Sequence, residues 1–144
     1  MKTASSFPNT RYDPAPLIDL SLKSERERLS GGAARAFFNL CAHWRLRDDD
    51  ARQLLAVSNG PFYQLKKAPA AKVLDADRLT RISCLIGIFK ALNILHGEAL
   101  ADEWLQLPNS NRIFGGARPL DYMIRGGVPA MLTVRRLLDG RRGG

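Results

Sequence analysis

The residues of this chain whose types could do chemistry are few and scattered: the thiols of Cys41 and Cys84, the imidazoles of His43 and His96, and the run Asp48-Asp49-Asp50. A zinc site is announced by closely spaced Cys or His pairs, and neither a CxxC pair nor a His at ligand spacing from a cysteine is present. Consecutive aspartates project in different directions on a helix, so the acidic trio cannot form a paired acid/base or metal site. It suits a helix N-terminus, where the dipole favours acids, and Asp50 followed by Gln53 has the form of a capping box. The chain contains no GxSxG, HExxH, phosphate-binding glycine loop or Cys/His nucleophile pattern. The expectation is therefore no catalytic residue, no metal and no cofactor: a protein that binds rather than converts. Cys41 and Cys84 are expected to be buried thiols, in keeping with a reducing cytoplasm.

The charge points to the kind of partner. The 144 residues are 45% apolar and 25% charged, enough to build a packed core, and carry a formal net charge of +8. Residues 1–72 hold 12 Lys+Arg against 7 Asp+Glu and residues 73–144 hold 10 against 7, so the excess runs along the whole chain. A negatively charged partner follows, nucleic acid first. In the second half the basic residues are all arginine except Lys90, which also suits planar contacts to the carboxylates of an acidic protein surface. There is no apolar signal core near Met1 and no apolar run long enough for a membrane span.

The elements that must position these residues all read as helices. Residues 1–31, with three prolines and scattered apolar positions, read as a flexible arm on which only Leu17, Ile18, Leu20 and Leu22 offer docking contacts. From about Ala33 to Leu46, Ala33, Ala36, Phe37, Leu40, Cys41 and Trp44 recur at helical spacing. Acids at 48–50 open a short helix ending near Ala56, and Pro61 begins another, so residues 32–74 predict a helix-turn-helix. Residues 75–144 form a second region, for dimerisation and partner binding. Asp75 caps the longest helix, which runs to His96 and stops at Gly97. A helix over about 98–107 buries Leu100, Trp104 and Leu107, and Phe114 anchors a loop. "RPLDYMIR" makes two turns closed by Gly126-Gly127, and a last helix starting at Pro129 buries Val128, Met131, Leu132, Val134 and Leu138. The fold class is all-α, a helix-turn-helix-like N-terminal bundle joined to a small C-terminal helical module.

Two sets of residues emerge as candidate contacts. In a helix-turn-helix the second short helix enters the major groove, so Ser58, Asn59, Tyr63, Gln64, Lys66 and Lys67 are the candidate DNA readers, with Phe62 and Leu65 turned to the core. Gln64 has the amide geometry for bidentate pairing with adenine. At the other end, Arg135 and Arg136 lie on the last helix. Arg141 and Arg142, bracketed by Gly140, Gly143 and Gly144, read as a mobile basic tail able to enter a narrow cleft.

The stretch "EWLQLPNSNRIFGGARPLDYMIRGG" resembles antitoxins of the Xre/MbcA/ParS type, the partners of RES-domain toxins. Trp104, Leu105, Pro108, Asn109, Phe114, Gly115, Pro119, Leu120 and Gly126 occupy the positions of that pattern, and the similarity extends over roughly residues 33–144. The resemblance implies a cytoplasmic homodimer that binds an NAD-consuming RES-domain toxin and represses its own operon by binding operator DNA. It implies inhibition by occlusion, with the C-terminal segment reaching the toxin's NAD pocket. On this sequence that role falls to Arg135, Arg136, Arg141, Arg142, Gly143 and Gly144. The alternative is a stand-alone helix-turn-helix regulator whose C-terminal module only dimerises.

Overall fold

A computed structural model describes residues 18–143, with side chains through Arg141. The first 17 residues of the expected arm, the side chain of Arg142 and the whole of Gly144 lie outside the described residues. Six α-helices follow one another: α1 (Lys23–His43), α2 (Asp48–Leu55), α3 (Asn59–Lys67), α4 (Ala76–Leu95), α5 (Glu98–Glu103) and α6 (Pro119–Gly143). A single 3-10 turn, Trp104–Gln106, continues α5, and no strand occurs among the described residues. The all-α class is as expected.

α1 begins ten residues before the expected start at Ala33, which corrects the reading of residues 23–31 as arm. Gly31-Gly32 follows the expected arm, yet the helix runs through both glycines. A Cβ on Gly31 would lie 3.4 Å from Cβ of Ala70, in the connection between α3 and α4. Ser30 secures the same approach: its hydroxyl accepts from the Leu74 amide at 2.8 Å and donates to the Arg26 carbonyl at 2.6 Å. Upstream, Glu25 and Arg28 pair across one turn at 2.8 Å. Arg45, at φ 53, ends the helical path after the buried Trp44.

α4 is the central helix, packed against α1 on one side and α6 on the other. Leu79, Ile82, Leu85, Ile88 and Leu92 are all buried along it, and one apolar cluster runs from Ala34 in α1 through Leu54 in α2 to Leu138 in α6. Its N-cap is as the sequence predicts, with the Asp75 carboxylate accepting from the Arg78 amide at 2.9 Å. Gly97 differs from expectation. With φ −66 it is the N-cap residue of α5 rather than a left-handed stop, and α4 ends because His96 turns extended.

The capping box at Asp50 does not form. The N-cap of α2 is Arg47, all three aspartates sit in the first turn, and Gln53 donates to Asp49 at 2.9 Å instead of reaching back to the cap. Asp50 is buried and faces the Arg47 guanidinium at 3.4 Å. Leu100 and Leu107, expected inside, are 48% and 45% exposed. Ala101, Trp104 and Leu105, at i, i+3 and i+4, share the buried face instead. Leu132, also expected inside, is 40% exposed.

Candidate functional site

Two surfaces hold the candidate residues. The first is the helix, three-residue connection and helix made by α2 and α3. Ala56, at φ 59, reverses the chain after α2, leaving carbonyls that would otherwise lack partners. Arginines satisfy them: Arg81 donates to Leu54 at 3.0 Å, Arg52 to Val57 at 3.2 Å, and Arg78 to Ala56. Two of these arginines belong to α4, so the connection between α2 and α3 is tied to the central helix. The positive charge also suits the negative end of α2.

α3 presents the expected two faces. Phe62 and Leu65 are buried, with the Phe62 ring 5.6 Å from that of Phe38 on α1. Ser58, Asn59, Tyr63, Gln64, Lys66 and Lys67 are all exposed. One of them is already engaged. Lys66 Nζ lies 2.7 Å from Asp48 of α2, and that hydrogen bond holds the ammonium above the ordinary lysine range. Gly60 faces open space, leaving the start of the helix unobstructed.

The second surface is the C-terminal module. Trp104 and Phe114 meet edge to face at 5.8 Å, and Phe114 meets Tyr122 at 5.3 Å, joining the 3-10 turn, the loop and α6 in one aromatic chain. The loop closes on itself: Asn109 donates to Ala117 at 3.1 Å and Gly116 donates back to Asn109 at 3.2 Å. Gly115 and Gly116, at φ 58 and 87, supply the left-handed turns this closure needs. Arg118 then grips Asp121 through two bonds of 2.8 and 2.7 Å, which holds that carboxyl below its ordinary value of 3.8. Arg118 also donates to Gln106 Oε1 at 3.2 Å, while Gln106 Nε2 donates to the carbonyls of Trp44 and Arg45 at 2.8 and 3.0 Å. Gln106 thus connects the end of α1 to the start of α6. Nothing in its sequence neighbourhood announces this, because all three partners are set by tertiary contact; Arg118, three residues before Asp121, was the only local signal.

α6 is two helical segments joined at Gly127, whose φ 65 and ψ −147 interrupt the helix. The break at Gly126-Gly127 is as predicted. Beyond it the structure departs from the expected mobile tail: the helix continues through Gly140 to Gly143, so Arg141 stands on a helix. Four residues of helix-compatible sequence after Arg135, among them the buried Leu138, carry the helical path past the glycine. The candidate arginines separate. Arg136 and Arg141 are exposed. Arg135 lies over α4, where a Cβ on Gly87 would come within 2.5 Å of its guanidinium carbon, and its Nε is 3.8 Å from Asp139. It borders an apolar groove of about 670 Å³ between α1, α4 and α6.

The thiols and imidazoles do not form a nucleophilic site. Cys41 and Cys84 are buried and unbridged. Burial pushes Cys41 up to about 12 and also raises Cys84, against a smaller opposing effect of Arg135. His43 lies beside Phe89 at 5.2 Å and faces Asp102 at 3.6 Å. No described helix is long and apolar enough to cross a membrane.

The module that α5, the loop and α6 build is a protein-binding one. Residues 90–144 match the antitoxin Xre/MbcA/ParS C-terminal toxin-binding domain, so this part of the chain is a toxin-binding domain, which implies a toxin as its partner. The chain is also 41% identical over 111 residues to the uncharacterized protein y4oB of Sinorhizobium fredii, an alignment spanning 76% of this chain and 83% of that protein. No solved structure matches it.

Proposed function

We propose that this antitoxin neutralises a RES-domain toxin by occluding its NAD site with the C-terminal segment, and that as a homodimer it represses its own operon through α3. The observation that carries the first half is the toxin-binding match over residues 90–144, which includes every arginine assigned to the contact. Arg136 and Arg141 are the exposed members of that set, and a guanidinium is suited to the phosphate-binding part of an NAD pocket or to acidic groups around it. Because the segment is helical to Gly143, it would enter the pocket as an ordered helix end, losing less conformational entropy than a free tail. Arg135, held over Gly87, would act by fixing α6 on α4.

The DNA half is supported by the short α2 and α3, the three-residue connection between them, and the polar face of Ser58, Asn59, Tyr63, Gln64 and Lys67. Lys66 would have to exchange Asp48 for a phosphate. Steep loss of operator affinity with salt, shallower by roughly one ion in Lys67→Ala, is the expected signature.

The deciding experiment co-expresses the product of the adjacent open reading frame with either the full chain or a version ending at Asp139, and follows growth and cellular NAD. Protection by the full chain and NAD loss with the truncation is the expected result. Equal protection by both would place inhibition in the helical module. A harmless neighbour, with operator binding intact, would favour a stand-alone helix-turn-helix regulator whose C-terminal module only dimerises.

A further inference from the structure

The end of α1 and the start of α5 bring together three metal-ligating side chains that the toxin-binding reading does not use. An imidazole nitrogen of His43, a carboxylate oxygen of Glu98 and one of Asp102 all lie within 4.8 Å of one another. We propose that His43, Glu98 and Asp102 form a zinc-class divalent cation site that fastens α1 to the toxin-binding module.

The chemistry of the donor set supports it. One imidazole and two carboxylates form a mixed N/O set that borderline divalent ions accept, with three protein ligands and water completing the shell. Glu98 and Asp102 are four residues apart on α5, so their charges face each other on one side of a helix, an arrangement that is unfavourable without a cation. In a chain of net charge +8, no lysine or arginine among the described residues pairs with either of them. The Asp102 oxygen that faces the imidazole, Oδ2, lies 3.6 Å from His43 Nδ1.

The geometry leaves only a small closure. Ligands about 2.0–2.2 Å from a tetrahedral zinc stand roughly 3.3–3.6 Å apart, so the three groups must draw together by about 1 Å. Glu98 is exposed, and His43 is half-exposed beside the Phe89 ring. His43 precedes the α5 carboxylates by most of the fold, which is why ligand spacing along the chain gives no sign of the set.

Isothermal titration of the full chain with zinc chloride, alongside His43→Ala and Glu98→Gln, tests the site. Single-site binding is expected, weakened at least tenfold in each variant, with both variants retaining the helical circular dichroism of the parent. Cobalt substitution should give visible bands of a nitrogen/oxygen site without thiolate charge transfer. An absence of binding would leave only a His43–Asp102 ion pair and overturn the proposal. Undiminished binding in both variants, or a thiolate band implicating Cys41 or Cys84, would overturn it equally.

Discussion

The two candidate surfaces share one apolar core and differ in the contacts that finish them. The C-terminal module is anchored by apolar burial: Leu105, Leu120 and Met123 are fully buried, and the aromatic chain from Trp104 to Tyr122 locks loop to helix. The connection between α2 and α3 depends more on polar ties, the arginine bonds to carbonyls at the end of α2. Apolar packing in a shared core resists local opening as a unit, whereas individual polar ties can be lost one at a time. The C-terminal module is therefore the stiffer platform and the α2–α3 connection the more adjustable one.

If that contrast is right, the largest effect should come from the aromatic chain. Phe114→Ala removes a buried ring from the centre of the module and is expected to cost about 3–4 kcal/mol, with a marked fall in melting temperature and loss of toxin binding. An unchanged melt would show that the module does not depend on its apolar anchor. Gly127→Ala comes next, since alanine at φ 65 and ψ −147 is strained by about 1–3 kcal/mol. Thermal denaturation should report this loss, and toxin affinity should fall as the second half of α6 is redirected.

Arg81→Ala should cost about 1 kcal/mol by releasing the Leu54 carbonyl. Amide exchange should then rise around residues 54–59 while the module from Trp104 to Tyr122 keeps its protection; uniform loss across both would erase the distinction between them. The smallest effect is the pH response of Asp121. Its folded carboxyl is held below 3.8 by the bonds from Arg118, so its contribution is present at neutral pH and is lost as pH falls through that depressed value. Asp121→Asn should flatten the acid limb of the stability curve slightly, because the pair is partly exposed and solvent screens it.

Much of this organisation was legible along the chain. The cap at Asp75 and the break at Gly126-Gly127 depend on neighbours close in sequence, and each is found where the pattern places it, whereas the buried stripe of α4 runs through Leu85 and Ile88 rather than Ile86 and Phe89. The burial of Phe62 and Leu65 against the exposure of Tyr63 and Gln64 follows from helical periodicity. Errors arose where local and tertiary signals compete. Gly31-Gly32 resembles a helix stop, but the packing of Ala70 against Gly31 makes it a contact point within α1. Gly140, Gly143 and Gly144 suggested a free tail, but packing of Leu138 keeps the helix running to Gly143.

The sequence by itself determined the all-helical class, the absence of any recognisable catalytic motif and, through the loop around Phe114, the antitoxin family. These are encoded in residue types and short spacings. Only the tertiary structure decided that Arg135 is occupied against α4 while Arg136 and Arg141 are exposed, and that Gln106 joins the end of α1 to α6. It also decided that His43 faces the carboxylates of α5. Such contacts unite residues distant in sequence, and their partners are chosen by how helices pack rather than by any pattern a single stretch of chain can carry.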